Sequence, residues 1–132
     1  TLVRVQHELF NLGSILACLP EDVMPQMPRV TAVYVEALEG SIDLFKEDLP
    51  PLRSFVLPGG SMLSVELHLC RTVCRRAERL VITLADATEV DPMAIAYLNR
   101  LSDAFFVWSR AALTLTGRGE VCWEPNLGSS GS

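Results

Sequence analysis

The chain has 132 residues, 49% of them hydrophobic and 20% charged. This is the length of one domain, and the apolar share, with a mean hydropathy of +0.29, excludes a disordered polymer. Eleven basic against sixteen acidic side chains leave a net charge of -5, which excludes the broad basic field of a general nucleic-acid binder.

Four segments carry apolar residues at the alternating three- and four-residue spacing of a helical seam. The first runs through Leu2, Val5, Leu9, Leu12, Leu16 and Leu19 and ends at Pro20; it lacks a cap, so the chain is expected to start inside a helix. A turn-rich stretch, 20–28, follows. The second carries Val35, Leu38, Ile42, Phe45 and Leu49 and stops before Pro50-Pro51, because a proline ring disfavours helix in the residue before it. The third carries Leu63, Leu67, Cys70, Cys74, Ala77, Val81 and Leu84. The fourth carries Ala94, Leu98, Leu101, Phe105, Trp108, Ala112 and Leu115. Thr88 and Asp91 resemble a capping box at its start, and Pro92 suits its first turn. Strand signals are confined to short runs at 54–57 and 121–123. The fold class is therefore all-α, an up-and-down bundle of four to five helices. Trp123 is expected to cover the bundle end, and 126–132 reads as a flexible tail. No apolar run is long enough for a membrane span.

Ten of the eleven cations are Arg, the side chain suited to forked recognition of phosphate or carboxylate, and Lys46 is the only lysine. On the third helix His68, Arg71, Arg75, Glu78 and Arg79 fall within an arc of about 100°. The Cys74 seam lies on one side of that arc, and a second apolar stripe, Leu69, Val73 and Leu80, lies on another. A solvated face would have polar flanks, so the ionic stripe is expected to be enclosed by a helix, a second subunit or a ligand. Unpaired buried guanidiniums would each cost several kcal/mol. Glu78 can serve one or two of them, and the rest need anions from elsewhere. The fourth helix offers a matching stripe of Asn99, Asp103, Phe106 and Arg110. An inter-helix salt-bridge network and an anion site are both open readings of the pair of stripes.

The segment Phe55-Val56-Leu57-Pro58-Gly59-Gly60 ahead of the third helix has glycines that let backbone approach a ligand. It lacks the lysine and spacing of a Walker loop. Cys18, Cys70, Cys74 and Cys122 form no CxxC pair and read as reduced thiols of a cytosol-like compartment. Cys70 and Cys74 face the seam and not His68, which argues against a metal site there; His68 is expected to pack at the stripe edge, and His7 at the surface. The inward Glu-x-x-His pairs of a di-iron bundle do not occur.

Three stretches, FVLPGGS at 55–61, LHLCRTVCRRAER at 67–79 and YLNRLSDAFFVWSR at 97–110, together with weaker agreement at 5–17, resemble the PduO-type ATP:cob(I)alamin adenosyltransferase family. The resemblance implies a ferritin-like bundle over 1–125 in a homotrimer, with ATP and the corrinoid at subunit interfaces. It implies transfer of the 5′-deoxyadenosyl group of ATP to the Co(I) of cobalamin, yielding adenosylcobalamin and triphosphate, with Mg²⁺ on the phosphates and no metal held by the protein. By motif position, Arg75, Arg76, Ala77, Glu78, Arg79 and Asn99 match the ATP-contacting segment. Arg71 matches an arginine that pairs with an aspartate in the family's N-terminal part. Phe55 matches the aromatic that faces the corrinoid and displaces its lower ligand; Asp103 has a supporting, cobalamin-facing role. Arg71, Arg75 and Phe55 are thereby the residues of the catalytic step. The family's Thr-rich nucleotide loop and first helix are expected to lie upstream of residue 1. A cobalamin reductase or an adenosylcobalamin-dependent enzyme is the implied partner, and the cytoplasm, or the mitochondrial matrix of a eukaryote, the implied location. The competing reading is a helical oligomerisation or corrinoid-holding module without ATP turnover.

Overall fold

Each apolar seam winds into a helix in the computed structural model, which describes residues 2–18, 20–22, 24, 26–51 and 59–115. These residues form α1 (Leu2–Leu16), a single 3-10 turn (Pro20–Asp22), α2 (Ala32–Lys46), α3 (Met62–Ala87) and α4 (Pro92–Leu115), with no strand among them. The two short strand signals, Trp123 and the 126–132 tail lie outside the described residues.

Local chemistry sets the helix ends. The Ser61 hydroxyl accepts a hydrogen bond from the Ser64 amide at 3.1 Å and so caps the start of α3. The expected capping box is corrected: the Thr88 amide donates to the Leu84 carbonyl at 3.0 Å and closes α3 instead. Asp91 opens α4, its Oδ1 accepting from the Met93 amide at 2.9 Å, and Pro92 takes the first helical position, where no amide hydrogen is needed. Helix α1 stops at Leu16, short of the expected Leu19, and α2 stops at Lys46, where the Leu49 amide turns back to the Lys46 carbonyl. In both cases the helix unwinds before the proline-bearing turn rather than at it.

Cross-helix contacts give the topology. Ser64 Oγ donates to the Ser109 carbonyl and Cys74 Sγ to that of Leu98. Numbers rise on α3 as they fall on α4, so the two are antiparallel. Trp108 Nε1 donates to Ser41 Oγ, and the Tyr97 and Tyr34 rings meet edge-on; α2 therefore runs parallel to α4. Leu2 lies at the end of the bundle that holds Leu115, and Leu16 at the end that holds Pro92, which makes α1 antiparallel to α4. The result is the expected up-and-down bundle.

Helix α4 is its axis, with fourteen of its 24 residues buried, among them Tyr97, Leu98, Leu101, Phe105 and Trp108. Leu38 of α2, Leu67, Cys74 and Val81 of α3, and Val5 and Leu12 of α1 complete the core. Seven seam assignments change: Leu2, Leu9, Phe45, Leu63, Cys70, Leu84 and Leu115 are exposed. The α3–α4 contact is centred on the line through Leu67, Cys74 and Val81, and Cys70 lies at its margin.

Candidate active site

The ionic stripe of α3 and the matching stripe of α4 lie side by side. Arg71 is half-buried, and its guanidinium carbon stands 4.9 Å from the centroid of the Phe106 ring, a cation–π contact. His68, one turn earlier on α3, meets the same ring edge-on, with centroids 6.2 Å apart and planes at 73°. His68 is buried, its Nε2 finds no hydrogen-bond partner among the described residues, and burial together with the Arg71 charge lowers its pKa from the ordinary imidazole value. It packs at the stripe edge as expected, but as a buried ring rather than a marginal one.

Further along α3, the half-buried Glu78 accepts a hydrogen bond from Asn99 Nδ2 at 3.1 Å. Asn99 Oδ1 in turn accepts from Arg100 Nε at 3.3 Å and Nη2 at 2.7 Å, and Arg100 Nη2 reaches Asp103 Oδ2 at 2.9 Å. These contacts bear on the inter-helix salt-bridge reading of the stripes. Asp103 is engaged by its helix neighbour Arg100, and Glu78 by an amide. No arginine of α3 forms a salt bridge among the described residues; there the stripes meet through the Asn99–Glu78 hydrogen bond and the contacts of Arg71 and His68 with the Phe106 ring. Arg75, Arg76 and Arg79 are exposed and Ala77 is half-buried between them. The chain's own helices do not enclose the arginine row; whatever neutralises it comes from outside these helices.

The second apolar stripe is open as well: Leu69, Val73 and Leu80 keep 62%, 60% and 61% of their surface. A charged row beside an uncovered apolar stripe is the mark of a face meant to be covered.

Phe55 lies outside the described residues, but both flanks of its segment are held by α4. Arg110, buried at the end of the α4 stripe, donates from Nη2 to the Pro50 carbonyl at 2.6 Å. Gly60 has φ 86°, and a Cβ there would sit 2.5 Å from Leu113 Cδ2. The glycine's lack of a side chain thus serves close approach to α4, where the sequence pointed to a ligand. Of this segment, Gly59 and Gly60 are described and 55–58 lie outside the described residues.

Arg100 was not among the residues that spacing singled out, whereas Phe106 was placed on the α4 stripe without its role as a platform for Arg71. Arg100 acts through its immediate neighbour, which helical periodicity places on another face. The signal for Phe106 was present, an aromatic on an otherwise polar stripe.

The family model for cobalamin adenosyltransferase matches residues 1–112. A corrinoid adenosyltransferase of Mycobacterium tuberculosis is 44% identical over 128 residues, covering 94% of this chain and 64% of its own length. That of Bacillus subtilis is 41% identical over 123 residues, covering 93% and 62%. The chain thus spans somewhat under two thirds of these curated relatives. A variant PduO-type ATP:corrinoid adenosyltransferase from Lactobacillus reuteri, solved in complex with cobalamin and ATP, superposes with a TM-score of 0.88 at 31% identity, covering 94% of this chain and 67% of that one. Motif, bundle and arginine row therefore agree, and the chain belongs to the cobalamin adenosyltransferase family.

Proposed function

We propose that this chain is the helical bundle of a corrinoid adenosyltransferase, which moves the 5′-deoxyadenosyl group of ATP to the Co(I) of cobalamin. The observation that carries the reading is the row Arg71, Arg75 and Arg79 on one face of α3, without an acidic partner among the described residues. Unneutralised guanidiniums on one face suit a polyanion. The reaction asks for little else from the protein. Co(I) provides the electron pair of the new cobalt–carbon bond, the C5′–O bond of ATP breaks, and its pair leaves with triphosphate. No side-chain nucleophile or base is needed; alignment and stabilisation of the departing charge are.

Arg75, Arg76, Ala77, Glu78, Arg79 and Asn99 line the nucleotide, and Arg71 shapes the site beside them by pairing with an aspartate of the family's N-terminal part. Phe55 and Asp103 face the corrinoid, with Phe55 keeping water from the cobalt. Mg²⁺ enters on the triphosphate, because the two acids of the site, Glu78 and Asp103, are already engaged by Asn99 and Arg100. The assembly is a homotrimer with both substrates at its interfaces. The uncovered Leu69, Val73 and Leu80 support this, since a second copy laid on them would stand next to the arginines. A reductase that supplies Co(I) and an enzyme that uses adenosylcobalamin are the partners. A reducing, cytosol-like compartment suits both Co(I) and the free thiols of Cys18, Cys70 and Cys74.

Anaerobic incubation with ATP and chemically reduced cobalamin tests the reading by the absorbance of adenosylcobalamin. Product is expected, and Arg75→Ala should raise KM for ATP about tenfold to a hundredfold, the loss of one charge-assisted contact. Corrinoid binding without product would instead mark a holding module. A melting temperature that saturating ATP leaves unmoved would remove the nucleotide site altogether.

A further inference from the structure

Asn99 is held from two directions by side chains of opposite hydrogen-bonding character. Across the α3–α4 contact its Nδ2 donates to Glu78 Oε2 at 3.1 Å. Along α4 its Oδ1 accepts from Arg100 Nε at 3.3 Å and from Arg100 Nη2 at 2.7 Å. An ionised carboxylate only accepts and a guanidinium only donates, so the carboxamide fits between them one way round. Turned by 180°, it would set its NH2 against the guanidinium and its oxygen against the carboxylate, and lose all three bonds.

Arg100 follows Asn99 directly, and consecutive side chains leave a helix about 100° apart. Asp103, one turn on, draws the guanidinium back along α4, with Nη2 at 2.9 Å from its Oδ2. The pair is open to water, its side chains keeping 39% and 51% of their surface, and an ion pair so exposed adds little to stability. What it fixes is the place of the fork: the Nη2 that meets Asp103 is the one that makes the shorter bond to Asn99.

We propose that Arg100 is a positioning residue for Asn99: its fork, steadied by Asp103, holds the amide oxygen and so fixes the orientation in which Asn99 meets the nucleotide. The inference rests on the ATP-binding reading given above. Among the described residues, Arg100 takes both lone pairs of Oδ1 and Glu78 takes one hydrogen of Nδ2. Asn99 is left with a single N–H and meets ATP as a donor. Without Arg100 the amide turns about its last bond, and part of the population offers its oxygen instead.

A double-mutant cycle in the full chain tests it. Arg100→Met keeps an unbranched side chain and removes every donor; Asn99→Ala removes the amide that is held. Arg100→Met should raise KM for ATP about fivefold, the loss of one oriented hydrogen bond. In the Asn99→Ala background the same substitution should change KM by less than about twofold, because no amide remains to be aimed. Any effect through Asp103 is common to both backgrounds and cancels. An ATP KM unmoved by Arg100→Met would overturn the proposal. So would the same fold-change in both backgrounds, the result for a guanidinium acting by its charge alone. If Arg100→Met does not fold, as judged by circular dichroism, Arg100→Ala takes its place in the cycle. A second readout does not depend on turnover: the Asn99 side-chain NH2 resonances of the ATP-free chain should move toward those of a free asparagine in Arg100→Met. Absence of adenosylcobalamin from the unsubstituted chain would refute the adenosyltransferase reading, whereas stationary Asn99 resonances would refute the role of Arg100.

Discussion

Cys70 and Cys74 lie one turn apart on α3, yet their side chains meet different surroundings. Cys70 is exposed, whereas Cys74 is buried with its thiol directed at the Leu98 carbonyl. Burial, with smaller contributions from the negative charges of Glu78, Cys70 and Asp103, pushes the Cys74 thiol up to about 12. Thiolate is the reactive form, so iodoacetamide at pH 8 followed by peptide mass spectrometry should label Cys70 and spare Cys74 until the protein is unfolded. His68 is perturbed the other way. Its pKa is lowered in the folded chain, so below the ordinary value of about 6.5 the unfolded chain takes up the proton first. Stability from this group is complete above that value and is lost as pH falls through the folded pKa. Urea midpoints at pH 7 and pH 5.5 should therefore separate more in the unsubstituted protein than in His68→Leu.

Among the elements, α1 is the one joined to the bundle by a buried charge. Tyr97 of α4 donates its hydroxyl to Glu8 Oε2 at 2.8 Å, and Arg4 Nε approaches Glu8 Oε1 at 3.1 Å. Both Tyr97 and Glu8 are buried, and burial together with the bond to Glu8 raises the Tyr97 pKa, which keeps its hydroxyl a donor. Helix α2 is tied by a neutral bond, Trp108 Nε1 to Ser41 Oγ at 2.9 Å, and α3 by the long apolar seam through Leu67, Cys74 and Val81. Tyr97→Phe deletes the donor but leaves the carboxylate in place. A hydrogen bond to a charged group is worth about 1.5–3 kcal/mol, and loss of stability in that range is expected from urea denaturation. A loss below about 0.5 kcal/mol would mean that Arg4 alone satisfies Glu8.

At the scale of the molecule, the lone bundle leaves too much apolar surface uncovered. Leu69, Val73 and Leu80 span twelve residues of α3, roughly 16 Å of helix, each more than half exposed. On the homotrimer reading this stripe is an interface, and two carboxylates placed in it would be buried unpaired at considerable cost. The double substitution Leu69→Glu with Leu80→Glu should thus convert the trimer to monomer in sedimentation analysis, with helix content by circular dichroism unchanged. Adenosyl transfer should fall with it, because the arginine row would lose the neighbour that completes its cleft. A trimer that survives the double substitution would place the interface on another face.

The apolar spacing alone determined four helices, their order and most of the core, because a seam with the period of the helix has one way to be buried. It also put Arg71, Arg75, Glu78 and Arg79 on one face, and the motifs at 67–79 and 97–110 carried the family. Helix ends were read less well: Thr88 and Asp91 are both plausible caps by type, and only the closing bond to Leu84 assigns the first to α3. Contacts between side chains of different helices were beyond the reach of periodicity, which gives a residue's face and not its partner. Hence only the tertiary structure decided that Glu78 binds an amide rather than an arginine, that Asp103 is held by Arg100, and that Arg71 and His68 meet the same Phe106 ring. Each of those choices turns on a few ångströms across the α3–α4 contact, a distance set by how the whole seam packs.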